Sequence, residues 1–247
     1  NHPSIIMWVP FNEGWGQHRT ADRVSWLQEH DPTRLVNSAS GWTDEGVGAV
    51  MDVHRYPGPG APSPALVADR APVLGEFGGL GLPLPGHTWV DEENWGYRSY
   101  ENLEDLNRAY GDLLFQLRPL IAEGLAAAVY TQTTDVEVEV NGVMTYDREV
   151  VKLSDTSVAL HPDLYTPQPR FAEVVPTSRQ EAQPWRYTTQ DPGDGWQEPD
   201  FGDGGWSTGH GPFGGRRPQG LVVGTEWDTP DLWLRRSFEI SSEDLAS

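Results

Sequence analysis

A chain of 247 residues is long enough to bury a sizeable core and to hold one domain or two. Its 37 Asp and Glu against 17 Lys and Arg leave a formal charge of −20, which argues against nucleic acid or an anionic membrane as the main partner. With no cysteine, disulfides, thiolate metal sites and cysteine nucleophiles are excluded together, while cytoplasm and exterior both stay open.

No apolar run approaches the ~18–20 residues that a membrane span needs. The first residues also lack the charged and apolar regions of a signal peptide. A strand pattern begins only a few residues after Asn1, so the expectation is a piece of a longer protein. Ile5, Ile6, Met7, Trp8 and Val9 form an unbroken apolar run, which predicts a strand of a parallel sheet covered on both faces. It runs out into Asn12-Glu13-Gly14, and in parallel α/β sheets the carboxyl ends of the strands are where chemistry is placed.

Residues 17–30 carry Ala21, Val24 and Leu27 at helical spacing, with Trp26 beside them, and Asp31-Pro32 ends the helix. Residues 34–41 predict a second strand that turns polar, and residues 49–56 a third, broken by Pro57-Gly58-Pro59-Gly60. If the third strand is regular, His54 and Tyr56 share one face and Arg55 takes the other. A short helix over residues 64–69 leads to Ala71-Pro72-Val73-Leu74-Gly75-Glu76-Phe77-Gly78-Gly79, which repeats the layout of the opening: apolar strand, glutamate, glycines. Residues 78–86, with Trp89 and Trp95 beyond, read as a long loop over the site. The clearest helix covers residues 100–123, with Leu103, Leu106, Tyr110, Leu113, Leu114, Leu117, Leu120 and Ile121 on one face, Pro119 near its end and Gly124 beyond it. Residues 125–131 predict the fifth strand, ending in Gln132-Thr133-Thr134-Asp135.

Five strands separated by helices or loops, each ending in polar residues, predict an α/β fold containing part of a (β/α)8 barrel; a full barrel takes ~250 residues, so roughly three βα units are missing. The expected layout is a barrel segment over residues 1–165, a proline-rich linker over 166–184, and an incomplete β-sandwich, jelly-roll-like, over 185–247. In that last segment Leu232, Leu234, Phe238 and Ile240 alternate along a strand that Arg236 interrupts. Truncation at both ends is the corollary.

Glu13 and Glu76, at the same end of two strands, are a candidate acid and nucleophile; a surface carboxylate is the plain alternative for either alone. Tyr56 is a candidate hydrogen-bond donor to Glu76, His54 a candidate sugar contact, and Gln132 a candidate partner for a hydroxyl. Trp15 and Trp42 are candidate stacking walls, since sugar rings stack on indole, although core packing is the plainer reading for most of the 11 tryptophans. The seven histidines show no metal-ligand spacing, and the aspartates between Asp191 and Asp203 lack the EF-hand pattern. No metal is expected.

Four segments in order resemble glycoside hydrolase family 2: Asn-His-Pro-Ser-Ile-Ile-Met-Trp at the start, Asn12-Glu13-Gly14, Gly75-Glu76-Phe77-Gly78-Gly79, and Tyr130-Thr131-Gln132 through Tyr146-Asp147-Arg148. That family contains β-galactosidases, β-glucuronidases and β-mannosidases, and residues 1 to about 150 resemble strands four to eight of its catalytic barrel. The resemblance implies a retaining β-glycosidase with Glu13 as acid/base, Glu76 as nucleophile, Asn12 on the sugar 2-hydroxyl and Tyr56 beside the nucleophile. It implies a carbohydrate substrate and no cofactor, and leaves the sugar, the linkage and the oligomeric state open. The family's N-terminal β-domains and first three barrel strands have no counterpart here. That departure keeps a second expectation alive, a non-catalytic carbohydrate-binding or structural remnant.

Overall fold

The opening apolar run forms a strand of only two residues, β1 (Met7–Trp8), and it is not covered on both faces as expected: Ile6 is 76% exposed and Val9 48%. The reason lies in its pairing, which among the described residues is one-sided, with Met7 opposite Leu35 and Trp8 opposite Val36 in a parallel pair. The helix that follows, α1 (Thr20–His30), starts later than predicted because Arg19 takes a left-handed conformation, and it buries Thr20 and Val24. Next come β2 (Leu35–Val36), β3 (Val50–Arg55), the short α2 (Pro64–Val67) and β4 (Ala71–Gly78).

The computed structural model describes residues 2–67, 69–168, 170, 173–178, 181–215 and 222–242. Its contacts divide into two compact units, residues 1–62 with 69–170 and residues 63–68 with 171–247. The expected linker over 166–184 includes residues 169, 171, 172, 179 and 180, and the expected sandwich segment includes 216–221 and 243–247; these lie outside the described residues.

Part of the stretch read as a loop over the site is instead sheet: β5 (Leu80–Gly81) pairs in parallel with β6 (Arg98–Ser99), and Leu80 and Leu82 are buried. Then α3 (Leu103–Ala122) buries Leu106, Tyr110, Leu113, Leu114 and Leu117 of the predicted face, while Leu103 in its first turn is exposed and Leu120 and Ile121 are half-buried. Burying such side chains contributes about 1.5–3 kcal/mol each, so this face anchors the unit. Asn102 caps the helix by accepting the Asp105 N–H at 2.9 Å, and Gly124, at φ 109°, follows its end.

The last strand of the unit, β7 (Ala127–Thr131), pairs in parallel with β4, giving a three-stranded order β3-β4-β7. Ala49 donates its N–H to the Val36 carbonyl at 2.8 Å and links β2 to the start of β3. Among the described strands β7 does not pair with β1, so the parallel strands form an open arc rather than a closed barrel. The loop after β7 is tied down from inside. Lys152 is fully buried and directs its ammonium at both Asp135 oxygens, at 2.7 and 2.8 Å, and at the Val140 carbonyl at 3.0 Å. Three donors meet three acceptors there, and removing either partner would strand a buried charge, at about 3–5 kcal/mol. Two short helices, α4 (Asp155–Val158) and α5 (His161–Leu164), close the unit.

The second unit is built of short strands. β8 (Pro184–Thr188) lies between β9 (Ser207–His210) and a later strand, while β10 (Phe213–Gly214) pairs in parallel with β11 (Thr225–Glu226). That later strand, β12 (Trp233–Arg235), is antiparallel to β8 and shorter than the alternation over residues 232–240 predicts. It stops before Arg236, whose guanidinium lies 5.8 Å from the Trp185 ring and bonds Gln183, and beyond it Phe238 and Ile240 are exposed.

Candidate active site

Polar residues from several strand ends meet in one cluster. After β1 the backbone of Asn12 bridges that of Ser40, and Glu13 donates its N–H to the Ser40 carbonyl at 2.8 Å. Glu13 has φ 52° and Gly14 φ 75°. A positive φ is uncommon for a residue with a side chain, and here it accompanies the turn that brings the carboxylate to His54.

Glu76 is placed by a bulge. Val53 lies opposite Leu74, but His54, the next residue, lies opposite Glu76, so Gly75 is an extra residue in β4. The Gly75 N–H donates to Asp52 Oδ1 at 2.8 Å, and a Cβ at this position would come within 2.2 Å of that oxygen. Only glycine fits so close an approach. The consequence is that Glu76 comes level with His54.

His54 Nδ1 lies 2.9 Å from Glu13 Oε1 and 3.3 Å from Glu76 Oε2, and one oxygen from each glutamate and the ring nitrogen all fall within 4.8 Å of one another. The His54 side chain is 2% exposed; those of Glu13 and Glu76 are 20% and 26% exposed. The pair is therefore reachable while the imidazole is not. Tyr56 donates its hydroxyl to Glu76 Oε2 at 2.5 Å and stacks on Tyr97, with ring centroids 3.7 Å apart and planes 3° from parallel. Gly79 makes room for this stack, since a Cβ there would meet Tyr97 Cδ2 at 2.5 Å and Tyr56 Cδ1 at 2.9 Å.

Burial raises the Glu76 carboxyl above its ordinary value, and the Glu13 and Asp52 charges act in the same direction, while the Tyr56 hydroxyl and His54 act against them. Burial likewise raises Asp52, against hydrogen bonds from Ser40 and Asn37. The Tyr56 hydroxyl is pushed up, first by burial and then by its bond to Glu76. It therefore remains a donor throughout the neutral range.

The other predicted residues are placed differently. Asn12 is exposed next to Glu13, and Trp15 and Trp42 are 75% and 58% exposed. Gln132 gives its side-chain amide to Asn141 Oδ1 at 2.9 Å, outside the hydrogen bonds of the cluster. Sequence reasoning missed Asp52 as a site residue, although Asp52, His54 and Tyr56 alternate along β3 and so carried a signal. It also missed Asn37, Ser40 and Tyr97, whose partners come from other segments. A polar cavity of about 590 Å³ beside Tyr100, Arg108 and Asp112 has neither glutamate in its lining.

Two groups of three side chains among the described residues have ligand atoms close enough to hold a cation, Glu13/His54/Glu76 and His87/Asp147/Glu149. Each group already contains hydrogen bonds of its own. In the first, His54 and Tyr56 occupy the carboxylates; in the second, Asp147 takes His87 at 2.8 Å, the Thr145 hydroxyl at 2.6 Å and the Glu149 N–H at 3.1 Å.

None of the curated proteins matches the chain. Residues 1–57 match the family model described as glycosyl hydrolases family 2, TIM barrel domain, a stretch that holds Glu13, Asp52, His54 and Tyr56 and ends before Glu76. The match spans 57 of the 247 residues, and it is that stretch which is similar to the barrel domain of the family.

Proposed function

We propose that the chain carries the catalytic pair of a retaining β-glycosidase, with Glu76 as nucleophile and Glu13 as acid/base. One observation carries the reading: carboxylate oxygens of the two glutamates lie within 4.8 Å. Retaining enzymes hold their two carboxyl groups ~5–5.5 Å apart, whereas inverting enzymes keep ~6.5–9.5 Å to admit a water between. In the first step Glu76 bonds to the anomeric carbon, the glycosidic C–O bond breaks, and Glu13 gives its proton to the leaving oxygen. In the second, water gives a proton to Glu13 and bonds to that carbon, and the ester breaks to return the Glu76 carboxylate. No cofactor enters the balance.

Burial alone would cast Glu76 as the proton carrier, because its pKa is raised. The Tyr56 hydroxyl argues for the opposite assignment, since its short hydrogen bond strengthens when the acceptor is charged. The test of the overall reading is stereochemical. Proton NMR of an aryl β-glycoside reaction should show the β-anomer of the sugar first, with the α-anomer appearing only by mutarotation; α-anomer first would mean inversion.

Tyr56→Phe probes the nucleophile's ionisation. The hydroxyl favours the charged form of Glu76, so its removal should raise that pKa further and move the acid limb of kcat/KM to higher pH. A hydrogen bond to a charged group is worth about 1.5–3 kcal/mol, which corresponds to a loss of roughly 10- to 100-fold at neutral pH. An unmoved acid limb would remove Tyr56 from this role.

The second reading, a carbohydrate-binding remnant, keeps the glutamate pair without turnover. Sugar binding without hydrolysis would identify it.

A further inference from the structure

Beneath the glutamate pair runs a chain of hydrogen bonds whose directions follow from which groups can donate. Asp52 is buried, at 4% exposure. Its Oδ1 accepts the Gly75 N–H at 2.8 Å, and its Oδ2 accepts the Asn37 amide at 2.6 Å and the Ser40 hydroxyl at 2.9 Å. Three donors converge on one carboxylate, which favours its charged form. The single hydroxyl proton of Ser40 is thereby committed, and Ser40 Oγ is left to accept from His54 Nε2, 2.8 Å away. That fixes a proton on Nε2.

The other ring nitrogen faces carboxylate oxygens, Glu13 Oε1 at 2.9 Å and Glu76 Oε2 at 3.3 Å. Neither contact is a hydrogen bond without a proton between nitrogen and oxygen. The shorter distance assigns that proton to the Glu13 contact, where it can sit on the ring or on the carboxyl. Glu76 meanwhile takes its short hydrogen bond from Tyr56 on the same oxygen. The charged and titratable groups around the ring are Glu13 from the loop after β1, Asp52 and Tyr56 from β3 and Glu76 from β4, with Tyr97 stacked on Tyr56 and Glu139 acting on Tyr97.

We infer that His54 is the proton store of the acid/base: one proton is held between His54 Nδ1 and Glu13 Oε1, and Asp52 and Ser40 are positioning residues that keep Nδ1 turned to Glu13. This rests on the assignment of Glu13 as proton donor. In the first step the stored proton passes to the leaving oxygen, which takes the electron pair of the broken glycosidic bond. That leaves a Glu13 carboxylate beside a neutral ring protonated on Nε2. In the second step the water's proton refills the contact as its oxygen bonds to the anomeric carbon. The buried ring need not touch the sugar, in contrast to the sugar contact expected for His54.

The experiment is nitrogen-15 NMR of the imidazole nitrogens in the 247-residue chain across pH 5–8, with the His54 signals assigned by His54→Gln. His54 Nε2 should be protonated at every pH, and Nδ1 should carry the signature of a shared or bound proton. In Ser40→Ala the ring should also populate the form with bare Nε2, and Ser40→Thr, which keeps a hydroxyl, should restore the original state. Asp52→Asn should act like Ser40→Ala; if it fails to fold, the Ser40 pair decides alone. A bare Nε2 in the unaltered chain, or a state indifferent to Ser40, would overturn the proposal.

Kinetics separate this from the glycosidase reading. Ser40→Ala should lower kcat/KM about tenfold on glycosides with poor leaving groups, leave kcat/KM on activated substrates nearly unchanged, and recover with Ser40→Thr. Equal losses on both substrate classes would overturn the positioning role. If no variant or parent chain hydrolyses any glycoside while the NMR states are as expected, the shared proton between His54 and Glu13 stands, and its role as a catalytic store falls with the glycosidase reading.

Discussion

Glu76→Gln is expected to reduce turnover by at least about 10⁴-fold on every glycoside, activated or not. The carboxylate is the group that bonds to the anomeric carbon, and an amide of the same size cannot form the ester, whereas removing a nucleophile elsewhere has cost as much or more. The fold should survive, because Tyr56 can donate to an amide oxygen and the bulge that places residue 76 depends on Gly75 and Asp52. Circular dichroism checks the fold and initial rates check the loss. Azide added to Glu76→Ala offers a second readout: a small anion entering from the vacated side should yield the α-glycosyl azide, and a β-azide would place the nucleophile elsewhere.

Glu13→Gln should act selectively. General acid–base catalysis contributes about 10²–10⁴-fold, and only a poor leaving group needs the proton in the first step. Alkyl glycosides should therefore lose that factor in kcat/KM, while dinitrophenyl glycosides keep most of theirs. Their kcat should still fall, because water in the second step has lost its base, and KM should fall with it as the ester accumulates. Comparable losses in kcat/KM on both substrate classes would contradict the role assigned to Glu13. The contact of Glu13 with His54, at 2.9 Å, predicts a further sign: the Nδ1 signal of His54 should change in Glu13→Gln even without substrate.

Much of what places this pair was legible in the residues. An apolar run followed by a glutamate and a glycine, occurring twice, picked out the two carboxylates without any knowledge of pairing, although Glu13 lies beyond the end of β1 and Glu76 inside β4. The leucine spacing of α3 marked its buried face for the same reason, since helical periodicity is a local property. Burial of β1 was not legible. Ile5, Ile6, Met7, Trp8 and Val9 look alike in sequence, and their exposure depends on how many neighbours the strand has, which among the described residues is one.

The site was legible only as far as its carboxylates and the alternation of His54 and Tyr56. The Gly75 bulge that sets Glu76 against His54 is a register property of three strands; β4 carries the extra residue relative to both β3 and β7. Glycine at position 75 read only as part of a glutamate–glycine motif. The buried chain from Asp52 through Ser40 to His54 crosses between separate segments, so its directionality exists only after folding. His54 shows the cost of that limit: its residue type and strand face suggested a sugar contact, while its 2% exposure and its bonds to Ser40 and Glu13 point to proton traffic.

The central claim, that Glu76 rather than Glu13 forms the covalent intermediate, is tested most directly by intact-protein mass spectrometry after incubation with 2-deoxy-2-fluoro β-glycosides bearing activated leaving groups. The fluorine slows hydrolysis of the ester more than the leaving-group-assisted step that forms it, so the nucleophile stays labelled. The account predicts one sugar adduct, mapping to Glu76 in the peptide digest and absent from Glu76→Gln. An adduct on Glu13 would reverse the roles of the pair. A chain that binds the sugars and forms no adduct would contradict catalysis and identify the binding remnant.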